Sequence, residues 1–170
     1  AVHLFTQSGG KLKFRDEDQV FIPNIYSSDQ ISIGSCNGDF TLDEILSNVP
    51  NSLREFLNIK KTDYENLEVH SSFNKSKRNI WLLPSDKVIG KTKPFVDYQN
   101  DATAKDIKLA LREGFRSIEH VKRYTTTGMG TDQGKLGNMH ALGIISETAG
   151  SKMGELGTTT FRPPYTPLTF

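Results

Sequence analysis

Cysteine is nearly missing from this sequence: Cys36 is the only one in 170 residues. That excludes an intrachain disulfide framework, and a lone thiol points to a reducing compartment, so the expected location is cytoplasmic. No apolar run approaches the length of a membrane-spanning helix, so no membrane partner is expected. Charge of one sign is also missing, since 21 basic residues face 20 acidic ones for a formal net charge of +1. A chain so balanced has no global attraction for nucleic acid or an anionic surface. The histidines are scattered at positions 3, 70, 120 and 140. None has the i, i+4 partner or cysteine neighbour of a zinc site, so no metal site is expected. Carboxylates show no pairing suited to acid–base work, and Asp16, Glu17 and Asp18 read as a solvated hairpin tip. No nucleophile–base set can be assembled either, so no catalytic residue is assigned. A signal-peptide start is absent. The chain opens mid-pattern on Ala-Val-His-Leu and closes on the linker-like "FRPPYTPLTF", so it reads as part of a longer protein.

What is present is a modest core, with 35% hydrophobic and 24% charged residues. Residues 2–22 alternate as strands: "VHLFTQ", then Gly9-Gly10, "KLKF", a charged turn and "VFIP", which predicts a small meander or hairpin. "ISIGSCNGDFTLDEIL" predicts a short strand, a glycine turn and a helix capped by Thr41 with Glu44 three residues on. Strand, glycine turn and helix form a cofactor-binding type of corner that many plain turns share, and Gly34, Ser35, Cys36 and Asn37 occupy it. "NSLREFLNIKK" predicts a further short helix, and "NIWLLP" predicts a buried strand with Trp81 in the core. Residues 62–78 lack periodicity and read as a connection. From Thr103 three short helices follow. The first carries a Thr103–Asp106 capping box and stops at Gly114, and the second starts at Ser117. The third runs from about Asn138 to Thr148, with Met139, Leu142 and Ile145 on one face and Gly150 after it. Such short helices are marginal alone and are expected to pack on the Trp81 region or on a partner.

Between the second and third helices lies "VKRYTTTGMGTDQGKLGN". It is not a P-loop. That motif requires a glycine where Met129 stands and a hydroxyl residue where Leu136 stands. Its alternating glycines can still bring backbone N–H groups to an anion beside Lys135, or they can simply join two helices. The candidate cofactor contacts here are Thr125, Thr126, Thr127, Gly128, Met129, Gly130, Thr131, Gln133 and Lys135.

The long stretch "PFVDYQNDATAKDIKLALREGFRSIEHVKRYTTTGMGTDQGK", with "GTTTFRPPYTP", "VHLFTQSGGKLKF" and "IGSCNGDF", resembles the alpha subunit of heterotetrameric sarcosine oxidase. The resemblance implies an α+β chain: an N-terminal β-meander/βα remnant of a nucleotide-binding domain followed by a small three-helix domain. It implies residues 1–47 as the end of the dinucleotide-binding domain and 48–93 as a connecting segment. Residues 94–150 become the helical domain, and 151–170 the linker to a folate-binding domain. The helical part is also similar to the bacterioferritin-associated-ferredoxin-like domain of amine and opine oxidases, whose cysteines bind a [2Fe–2S] cluster. Asp97, Gln99, Asp132 and Gly137 stand at those positions, so the resemblance implies no iron–sulfur cluster. For the parent complex it implies FAD, FMN, NAD and tetrahydrofolate, oxidation of sarcosine to glycine, and partnership with a beta subunit and further subunits. This stretch by itself is then a non-catalytic interface module without a cofactor of its own, whose loop from Thr125 to Lys135 faces the interface flavin. The alternative is a free-standing adaptor or electron-transfer module of an amine or opine oxidoreductase complex.

Overall fold

The computed structural model describes residues 2–59, 69, 79–87, 91–163 and 169. The chain forms two compact units, residues 1–78 and 79–170, of mixed α and β structure with small sheets. Among the described residues no helix is long and apolar enough to cross a membrane.

In the first unit the expected hairpin is present. Strands β1 (Lys11–Arg15) and β2 (Val20–Ile25) pair antiparallel, with Phe14 opposite Phe21 and their rings 5.0 Å apart. The segment before it departs from expectation, for "HLFTQ" is a short helix, α1 (His3–Gln7), not a strand. Its alternation spans too few residues to outweigh local bonds: Thr6 donates its hydroxyl to the His3 carbonyl and Ser8 to the Phe5 carbonyl. Phe5 lies over Gly10, where a Cβ would strike its ring, and meets Tyr26 edge-on at 5.0 Å. The acidic turn is not wholly solvated. The Asp18 side chain is buried and ion-paired with Arg15, whose guanidinium also donates to the Gly38 carbonyl at 2.8 Å.

Residues 31–33 form no strand, and a single 3-10 turn spans Gly34–Asn37. The capping box does start a helix. Thr41 accepts from the Glu44 N–H and the Glu44 carboxylate accepts from the Thr41 N–H. That helix, α2 (Leu42–Phe56), joins the two expected short helices and runs through Pro50. The limit drawn at residue 47 therefore falls inside it. Proline supplies no N–H to Leu46, yet the capped first turn and the apolar spacing after it carry the helix onward. No residue of α2 is buried.

The second unit is built on helices. A short ribbon of β3 (Phe95–Asp97) and β4 (Ala102–Thr103) leads into α3 (Ala104–Arg112), capped by reciprocal bonds between Thr103 and Asp106 as its sequence predicts. Then come α4 (Ile118–Thr125), α5 (Asn138–Ala149) and the single turn α6 (Met153–Leu156). α3 packs on both α4 and α5. Ile107, Val121, Leu142, Ile144 and Ile145 are fully enclosed, each contributing about 1.5–3 kcal/mol of apolar burial. The single-faced α5 expected from sequence is instead buried across five successive residues, Ala141 to Ile145, so it is the central helix of its unit. "NIWLLP" is not a strand, and Ile80 and Leu83 are exposed. Trp81 does pack as expected, against α5: its ring covers Gly143 and meets His140 edge-on at 6.1 Å.

Candidate functional site

Three sequence features build the loop between α4 and α5. Thr126 ends α4 in the left-handed conformation (φ 61°). Glycines follow at 128, 130, 134 and 137, and Asn138 then opens α5. The threonines serve their own backbone. Thr125 donates its hydroxyl to the Val121 carbonyl at 2.7 Å and accepts from the Thr127 N–H. The Thr126 carbonyl accepts from the Met129 N–H and the Asn100 amide. Thr127 is buried.

Besides the Asn100 bond to Thr126, the loop is stitched to the β3–β4 turn by Asp97 and Gln99. Asp97, buried, accepts at one oxygen from the N–H groups of Gln99 and Asn100. Its other oxygen accepts from the Gly128 N–H at 2.6 Å and from the Asn100 amide. Burial pushes this carboxyl's pKa up, but the donors from Gly128, Asn100 and Gln99 outweigh it and hold the group below its ordinary value. Gln99 exchanges a pair of hydrogen bonds with the Thr131 hydroxyl at 3.0 and 3.2 Å and accepts from the Asp132 N–H.

Each of the four glycines is approached by protein. The Asn138 amide occupies the space a Cβ would need at both Gly128 and Gly134, the Gln99 side chain fills it at Gly130, and the Val96 carbonyl at Gly137. The N–H groups of Gly128, Met129, Asp132, Gln133, Gly134, Lys135 and Asn138 all donate within the loop or to the 97–99 turn. An anion nest needs N–H groups converging outward. Here these N–H groups turn inward and do not form such a nest. Thr126, Met129 and Thr131 are exposed, and Lys135 is half-buried, its ammonium on the Asp132 carbonyl at 3.4 Å.

The positions that the resemblance aligns with cluster ligands do come together. Asp97 and Gln99 reach the loop, Asp132 receives Gln99, and Gly137 lies on the Val96 carbonyl. None is a thiolate, and the groups do not fit an iron–sulfur cluster. Among the described residues no group of three or more His, Cys, Asp or Glu side chains is placed to hold a metal ion. The second candidate set, Gly34, Ser35, Cys36 and Asn37, belongs to the other compact unit. Within that turn the Ser35 carbonyl accepts from the Gly38 N–H, and Cys36 donates to the Ile33 carbonyl at 3.2 Å. Sequence reasoning named Asp97 and Gln99 only through the resemblance, and Asn138 only as the start of the third helix. One local signal was available for Asp97, since an aspartate two residues before a turn residue can accept that residue's N–H.

A ribbon-capped helical unit with an internally bonded loop is a module of the oxidase-subunit class, for residues 91–170 match the family model described as the sarcosine oxidase A3 domain. A sarcosine oxidase subunit alpha of Corynebacterium sp. (strain P-1) is 35% identical over 99% of this chain and 18% of its own length. That of Rhizobium meliloti (strain 1021) is 54% identical over 54% of this chain and 9% of its own. The chain belongs to the sarcosine oxidase alpha-subunit family. It spans about a fifth or less of the length of these curated relatives. The fold is also seen in the crystal structure of L-proline dehydrogenase from P. horikoshii, with a TM-score of 0.62, 18% identity and coverage of 99% of this chain and 36% of that one.

Proposed function

We propose that this chain is a non-catalytic interface module of the alpha subunit of a sarcosine oxidase, a complex that oxidises sarcosine to glycine with FAD, FMN, NAD and tetrahydrofolate. Its loop from Thr125 to Lys135 meets the flavin-bearing beta subunit. The observation that carries this reading is the exposure of Tyr98, Met129 and Leu136, at 76%, 56% and 79%, on segments whose backbones are locked together. Tyr98 lies between the stitching residues Asp97 and Gln99, and Met129 between the two glycines they secure. Leu136 precedes Gly137, which rests on β3. Large apolar side chains held out by a rigid backbone suit a preformed protein contact. The N-terminal unit is read as the end of the nucleotide-binding domain, its turn at Gly34–Asn37 contributing only part of a cofactor site.

Co-expression of the full alpha subunit with its beta partner tests the reading. Met129→Glu leaves the fold intact, because the side chain is exposed, but puts a charge into the proposed contact. The expected result is loss of co-purification and a fall in flavin absorbance of the recovered complex. Undiminished complex with full flavin content would remove the loop from the interface.

A further inference from the structure

Residues 157–162 leave α6 with no helix or strand of their own, so their main-chain groups need partners from elsewhere. The glycine loop supplies them for Arg162. The Gln133 amide donates to the Arg162 carbonyl at 2.8 Å and accepts from the Arg162 N–H at 2.7 Å. One side chain thus satisfies both backbone groups of one residue, as a neighbouring strand would. The Asn138 amide donates to the Thr159 hydroxyl at 2.9 Å, and Thr159 is buried. The Lys135 ammonium lies 5.8 Å from the centre of the Phe161 ring, within the range of a cation–π contact.

We propose that the loop is an intramolecular peptide site, with Gln133 as the positioning residue that reads the backbone of Arg162 and holds the segment leaving α6. Gln133 itself adopts a left-handed conformation (φ 53°), which a residue other than glycine or asparagine takes only at a cost. Its amide reaches Arg162 from that conformation, and Asn138 holds both the Gln133 carbonyl and Thr159. Movement of the loop therefore moves the outgoing segment. This inference stands apart from the flavin reading, because both partners lie within this chain.

Hydrogen exchange on the 170-residue chain tests it, with Gln133→Asn and Gln133→Gly. Both replacements suit the left-handed backbone, but neither reaches Arg162. Exchange of the Arg162 N–H is expected to rise about tenfold, the consequence of losing its hydrogen-bond partner. Chymotryptic cutting after Phe161 should rise with it, while the buried amides of α5 keep their protection. Unchanged exchange at Arg162 in both variants overturns the proposal. So does equal loosening of α5, since Gln133 would then serve the helical fold and not the segment.

Discussion

Asp97 takes four hydrogen bonds on one buried carboxylate, and at the residue scale it is the point on which the loop depends. Asp97→Ala leaves the Gly128 N–H without its buried acceptor, and the expected cost is roughly 3 kcal/mol in chemical unfolding. Asp97→Asn is expected to lose part of this, because an amide can present only one acceptor oxygen to donors that now meet two. The pH dependence has a definite sign. The folded pKa lies below the ordinary value, so the stabilisation is complete above the unfolded carboxylate pKa. It is lost as pH falls through the lower, folded one. Unfolding measured down this acid range should show a smaller fall in stability for Asp97→Ala than for the parent chain. Equal slopes would show that other carboxylates carry the acid response.

Among the elements, α5 shows a local preference set against packing. Gly143 sits mid-helix, where alanine is favoured by about 1 kcal/mol. Trp81 covers that position so closely that a Cβ would collide with the indole. Overpacking of this kind costs about 1–3 kcal/mol, so Gly143→Ala is expected to destabilise despite its better helix propensity. Trp81 is the only tryptophan and reports the displacement directly: its emission should shift to the red. An unshifted spectrum with raised stability would mean that the indole does not rest on this helix. α2 illustrates the opposite balance. Its capping box and apolar spacing suffice to form it, yet none of its residues is buried, so its start was legible while its length and packing were not.

At the scale of the whole molecule, the chain covers only 18% of a relative to which it aligns along 99% of its own length. On the proposed reading, the turn at Gly34–Asn37 supplies only a small part of a dinucleotide site. Isothermal titration of the 170-residue chain with NAD is accordingly expected to give no saturation at micromolar concentrations. Micromolar affinity would show that the N-terminal unit holds a complete site. In the helical unit the three main helices, two of their stop signals and the Thr103–Asp106 cap could be read directly. Caps, glycine stops and 3.6-residue spacing are short-range signals and survive without context. The strands expected at residues 2–7 and 79–84 did not form, because a few alternating apolar residues carry too little information to outweigh local bonds and one dominant contact.

The sequence by itself determined the three main helices of the second unit, the start of α2, that no thiolate cluster is available, and to which family the chain belongs. Each of those rests on residue identity or on interactions within one turn of backbone. Only the tertiary structure decided what the glycines are for. Asn138, Gln99 and Val96 fill the space above them, and Asp97 and Gln133 draw the loop to segments about 30 residues away on either side, with |i−j| of 31 and 29. Close approach between distant parts of a chain has no local signature. A glycine that admits a neighbouring side chain reads the same as one that admits a ligand.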